Sequence, residues 1–151
     1  MRPRSVFCSY SHRGARLRNK LEDHLSNLKR QGKISVWHDR DITGGEEWVG
    51  KIEEHLNKAD IILLLVSASF MASDYCNSVE LRRALERTDL GRHELSQGIL
   101  RPVDWQSSPI GKLQALPTDA RAVSNWKDRE EAFMNIAQGI RKVVEEMSRT
   151  E

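Results

Sequence analysis

The chain has 151 residues, 38% hydrophobic and 30% charged, with four prolines and nine glycines. That is the size of one domain with an ordinary core, and the composition excludes disordered, collagenous and low-complexity classes. Lys and Arg number 24 against 22 acids, a net charge of +2, so bulk charge argues for neither a nucleic-acid nor a membrane-surface partner.

Cys8 and Cys76 lie far apart and neither sits in a C-x-x-C pair, so free thiols in a reducing compartment are expected rather than a disulfide framework or zinc site. The longest apolar run, Ile61 to Val66, is far shorter than a membrane span, and no apolar stretch follows the charged amino terminus as in a signal peptide. The expectation is a soluble, cytoplasmic chain that forms one domain over residues 1–151, standing alone or cut from a larger multidomain protein.

In chain order, Val6-Phe7-Cys8 opens a first strand, left through Ser9-Tyr10-Ser11-His12. Leu17, Leu21, Leu25 and Leu28 then fall on one stripe of a helix over Ala15 to Arg30, with Gly32 just past its end. Ile34 to Trp37 reads as a second strand. The polar loop from His38 to Glu47 follows, with Gly44 and Gly45, and Trp48, Ile52 and Leu56 mark a second helix. Ile61 to Val66 is uniformly apolar, as a central parallel strand covered on both faces should be. Asp74 is a candidate N-cap for a third helix containing Cys76, Val79, Ala84 and Leu85. Ile99 to Val103 reads as a fourth strand, weakened by Pro102. Gln106 to Thr118 reads as an irregular or weakly helical connection and Ala120 to Ser124 as a fifth strand. In the last helix Ala132, Phe133, Ile136, Ala137, Ile140, Val143, Val144 and Met147 share one face.

Strands alternating with helices require crossovers and a mostly parallel sheet. The expected fold is therefore α/β, a flavodoxin-like three-layer arrangement with five strands in the order 2-1-3-4-5 and helices on both faces. In such sheets ligands bind in the crevice at the carboxyl ends of the strands. The loops there hold Ser9 to His12, His38 to Asp41 and Ser67-Ala68-Ser69.

G-x-G-x-x-G, the P-loop and G-x-S-x-G are all absent, which argues against dinucleotide redox chemistry, a nucleotide triphosphatase and a hydrolase nucleophile elbow. A phospho-accepting receiver wants an acidic pair after the first strand and an Asp ending the third, and serines and Tyr10 stand there instead. The five histidines show no metal spacing, and His24 and His55 read as packing or solvated helix residues. His38-Asp39-Arg40-Asp41 reads as a loop of turn formers rather than a metal site.

Two segments carry more. Gly44 and Gly45 permit close backbone approach in the loop before Trp48, a position that suits either the core or a site wall. Cys76 and Glu80 are four residues apart, on one face near the start of the third helix, facing the crevice. A carboxylate there is either a helix-dipole stabiliser or a site residue.

Taken together, Phe7-Cys8-Ser9-Tyr10-Ser11, Val36 to Ile42 before a Gly-bearing loop, Trp48, Ala59 to Ser67, and Ser73-Asp74-Tyr75-Cys76 leading to Glu80 resemble a Toll/interleukin-1 receptor (TIR) domain. Ser108 to Pro117, Trp126 and the last helix are similar to bacterial members, and the resemblance covers nearly the whole chain.

The resemblance implies one of two functions. One is NAD+ cleavage at the nicotinamide–ribose bond, giving nicotinamide with ADP-ribose or a cyclic isomer, in immune or antiphage signalling. The alternative is a non-catalytic adaptor that binds other TIR domains. The enzymatic reading is preferred because Glu80 matches the catalytic position. Many such enzymes carry Trp where this chain has Cys76, which alters the surface for nicotinamide.

By resemblance Tyr10, Ser11, His12 and Cys76 line the NAD+ pocket, with Asp39, Gly45 and Trp48 as its other wall. Arg40, Asp41, Ile42, Thr43 and Gly44 form a loop for self-association. NAD+ is the substrate. No cofactor, metal, nucleic acid or membrane is expected.

Overall fold

The structure is a computed structural model and describes residues 3–11, 15–38, 58–72, 82, 85–86 and 94–149. Its elements are β1 (Arg4–Ser9), α1 (Ala15–Arg30), β2 (Ile34–His38), β3 (Ile61–Val66), the short α2 (Ala68–Met71), β4 (Glu94–Ile99), β5 (Gln114–Leu116) and α3 (Arg129–Arg149). The five strands form one sheet in the order β2-β1-β3-β4-β5, and every pairing is parallel.

The uniform apolarity of β3 has a direct cause. All six of its residues are buried, but they alternate between two cores. Ile61, Leu63 and Leu65 join one with Val6 and Cys8 of β1, the α1 leucines and the apolar face of α3. Ile62, Leu64 and Val66 join the other with Phe7, Phe70 and Ile99. A strand covered on both sides has no face left for a polar residue. The expected stripes of α1 and α3 meet in the first core: Leu17, Leu21, Leu25 and Leu28 are buried there beside Phe133, Ile136, Ile140 and Val144. His24 of α1 stacks on Phe133, with ring centroids 5.9 Å apart, and its Nε2 lies 2.6 Å from Glu130.

Two strand assignments need correction. The fourth strand is Glu94–Ile99, so the expected segment Ile99 to Val103 begins where it ends. Its sequence, Glu-Leu-Ser-Gln-Gly-Ile, hides a buried strand behind polar residues. Ser96, Gln97 and Gly98 are buried, and Gln97 Nε2 donates to the carbonyls of Ile110 at 2.9 Å and Leu113 at 3.2 Å. These bonds give partners to the buried amide nitrogen, while Gln97 Oε1 has none among the described residues.

The fifth strand is Gln114–Leu116, inside the stretch expected to be irregular. The expected strand Ala120 to Ser124 is instead a pair of 3-10 turns, Thr118–Ala120 and Val123–Asn125. Asp119 and Ala120 have φ of 62° and 55°, outside the region an extended strand can use. The expected second helix, at Trp48, Ile52 and Leu56, lies outside the described residues. Near the end of the third, Arg82, Leu85 and Glu86 are described and helical. No helix among the described residues is long and apolar enough to cross a membrane.

Candidate functional site

The strands end together on one side of the sheet, and the residues that leave them are rich in hydroxyls. β1 runs out through Ser9, Tyr10 and Ser11, and β3 through Ser67, Ala68 and Ser69. Ser67 is fixed by its role as N-cap of α2, where its Oγ accepts from the Phe70 N–H at 3.2 Å. Ser67 Oγ lies 3.2 Å from Ser69 Oγ, which in turn lies 2.7 Å from Ser11 Oγ. Three hydroxyls from two strand ends thus form one hydrogen-bonded row.

Beside this row opens a recess of about 570 Å³, lined by Ser67 and Ser69 with Leu17 of α1, Leu100, Arg101 and Ser124. Its size is within the usual range for small-molecule sites. Leu100 holds the rim: its N–H donates to the Val66 carbonyl at 2.9 Å, and its carbonyl accepts from the Ser124 N–H at 3.1 Å. One residue thereby ties β3, the exit of β4 and the turn before α3.

Tyr10 is 5% exposed and belongs to the core between the sheet and α1. The Arg18 guanidinium sits over its ring at 5.1 Å and pairs with Glu22 at 2.6 Å. Arg18 is itself buried, so this pairing and the ring contact keep a charge inside the protein. Tyr10 therefore backs the crevice wall and is not among the residues lining the recess.

Cys8, two residues before Tyr10, is a fully buried free thiol. Burial, helped by the Glu22 carboxylate and opposed by Arg18, pushes it up to about 12. It stays protonated at neutral pH and does not act as a nucleophile.

A TIR domain family model matches residues 6–138. The chain belongs to the TIR domain family. It is 49% identical over 146 residues to the uncharacterized protein y4lF of Sinorhizobium fredii (strain NBRC 101917 / NGR234). The match covers 97% of this chain and 45% of that protein, so the chain spans about half the length of its curated relative. A prokaryotic SEFIR domain of known crystal structure superposes with a TM-score of 0.54 at 17% identity, covering 89% of this chain and 90% of that one. That likeness shows the shared fold.

Of the TIR site residues expected from the sequence, Tyr10 and Ser11 are placed at the exit of β1, Tyr10 in the core and Ser11 half-buried against Ser69. His12, Asp39, Gly45, Trp48, Cys76 and Glu80 lie outside the described residues, as do Arg40, Asp41, Ile42, Thr43 and Gly44 of the expected self-association loop. Sequence reasoning assigned no role to Ser69, Arg101 or Ser124. Only the position of Ser67-Ala68-Ser69 after an apolar strand hinted at the first, and nothing local marks the other two.

Proposed function

We propose that this TIR domain cleaves NAD+ at the nicotinamide–ribose bond, with Glu80 as the catalytic carboxylate and with activity raised by self-association. The observation that carries the reading is Glu80 itself, which follows Ser73-Asp74-Tyr75-Cys76 at the position where NAD+-cleaving TIR domains place their glutamate. The hydroxyl-lined recess at the strand ends supports it, since open α/β sheets take ligands there.

The chemistry needs few groups. Nicotinamide leaves as a neutral molecule from a cationic linkage, so its departure requires no general acid. Positive charge grows on the ribose as the bond breaks, as in glycoside hydrolysis, and a carboxylate near the ribose hydroxyls stabilises it. Glu80 takes that role. Ser11 stands at the exit of β1 with His12 next in sequence, and Asp39, Gly45 and Trp48 supply the opposite wall. The loop from Arg40 to Gly44 is the contact through which a second copy, or another TIR domain, completes the pocket. NAD+ is consumed as substrate.

The test is nicotinamide release from NAD+ by purified protein, with products separated by chromatography, from nanomolar to high micromolar protein. Specific activity should rise with concentration. Glu80→Gln should cut it about 10²–10³-fold, the usual worth of one preorganised electrostatic contact, while the melting temperature stays unchanged. Wild-type turnover by folded Glu80→Gln would remove the chemistry from this residue.

A further inference from the structure

A second cavity, of about 390 Å³, lies between α1 and the start of α3 and is separate from the hydroxyl row. Arg16 and Lys20 reach it from one face of α1, Arg101 from the exit of β4 and Arg129 from the first position of α3. Leu17 and Phe133 give it an apolar, buried floor. Its one carboxylate, Glu130, is already engaged. His24 at 2.6 Å and Lys20 at 3.6 Å hold it, and the bond from His24 keeps its carboxyl below the usual range. Arg16, Arg101 and Arg129 make no ion pair among the described residues.

Three guanidiniums from three elements thus line one concavity, beside the Glu130 that Lys20 and His24 already hold. These exposed guanidiniums around one concavity favour an anion there. Guanidinium forks match phosphate oxygens two at a time. Leu17 and Arg101 also line the recess beside Ser67, Ser69 and Ser124, so the two cavities adjoin. An occupant with phosphates on the cations has hydroxyl partners within its further reach. The concave shape fits a small molecule better than a protein surface, and a chain of net charge +2 has little general attraction for nucleic acid.

We propose that the Arg16–Lys20–Arg101–Arg129 pocket binds the diphosphate of a phosphorylated small molecule. The diphosphate comes either from NAD+ itself or from a separate phosphorylated ligand. The site does not depend on Glu80, so it stands or falls apart from the cleavage reaction.

Isothermal titration of the Glu80→Gln protein with inorganic pyrophosphate tests it. One saturable site is expected, weakened by salt, as interactions of exposed charges are. Arg101→Glu should weaken binding by about tenfold or more, the scale of a lost charge-assisted contact turned repulsive. Arg30→Glu, the same change of charge at the exposed last turn of α1, should leave it unaltered. If Arg101→Glu fails to fold, the double variant Arg16→Gln, Arg129→Gln carries the same expectation.

Competition then separates the sources. Displacement of pyrophosphate by NAD+ assigns the diphosphate to the substrate, and binding that NAD+ leaves untouched assigns it to another ligand; either result retains the site. Absence of saturable binding overturns the proposal. So does an equal loss in Arg30→Glu, or tighter binding of a poly-glutamate peptide than of pyrophosphate.

Discussion

β3 and β4 lie side by side in the middle of the sheet, paired from Ile61 with Glu94 to Val66 with Ile99, yet their sequences have almost nothing in common. β3 is Ile-Ile-Leu-Leu-Leu-Val, and β4 is Glu-Leu-Ser-Gln-Gly-Ile. Both are buried over their shared length from Ser96 to Ile99. β3 is held by apolar area on two faces, β4 partly by specific bonds. Gln97 donates twice to the chain around Ile110 and Leu113, and Gly98 leaves room where an added Cβ would come within 3.3 Å of Leu65 Cδ2. Burial therefore does not require an apolar side chain when a buried amide has partners and a missing side chain suits its neighbours.

Three measurements press on this contrast. The largest effect is expected for Leu64→Asp in β3, where the side chain is fully buried among apolar neighbours. An unpaired carboxylate there should cost ~4 kcal/mol or more and prevent soluble folding. A soluble variant with a cooperative melt would show that β3 tolerates charge and would dissolve the contrast.

In β4, Gln97→Leu should cost about 1–3 kcal/mol, because the Ile110 and Leu113 carbonyls lose their donor inside the protein. Urea titration should show a lower midpoint at an unchanged slope. Equal or greater stability would mean that apolar area serves β4 as well as it serves β3.

An effect confined to alkaline pH, and absent at neutral pH, concerns the neighbouring strand β1, where the buried Cys8 thiol is raised from 9.0 to about 12. A raised value means that the folded state keeps its proton longer than the unfolded chain does. The contribution of Cys8 is therefore fully present below pH 9 and is lost between pH 9 and 12, at up to about 1.4 kcal/mol per pH unit. Cys8→Ala should flatten the alkaline decline in urea midpoints relative to wild type. Parallel curves above pH 9 would show that the thiol does not titrate with folding.

The same contrast explains what could be read from residues alone. β1, β2 and β3 are legible as short apolar runs and α1 and α3 as apolar stripes of period 3.6, and five alternating units give the order β2-β1-β3-β4-β5. β4 escaped because its burial rests on Gln97 meeting backbone carbonyls 13 and 16 positions away. β5 is only three residues long and had no pattern to show. At the site, Ser9-Tyr10-Ser11 stood out by place, after an apolar strand. Ser69, Arg101 and Ser124 become neighbours only when β3, β4 and the turn before α3 are brought to one rim by Leu100.

The row Ser67–Ser69–Ser11 also has a direction. Each hydroxyl owns one proton and can accept others. Because Ser67 Oγ accepts the Phe70 N–H, its own proton is available to Ser69, and that of Ser69 to Ser11. In this polarity the row ends at the half-buried Ser11 on an O–H that can be donated outward. Reversed, Ser11 gives its proton inward and Ser67 accepts a second bond, so the row ends on an oxygen lone pair. Both arrangements use the same heavy-atom positions, and neighbouring bonds in such a row reinforce whichever sense is adopted. A ligand atom arriving at Ser11 can therefore be met as donor or as acceptor through the rotation of three hydroxyl groups, with no backbone movement.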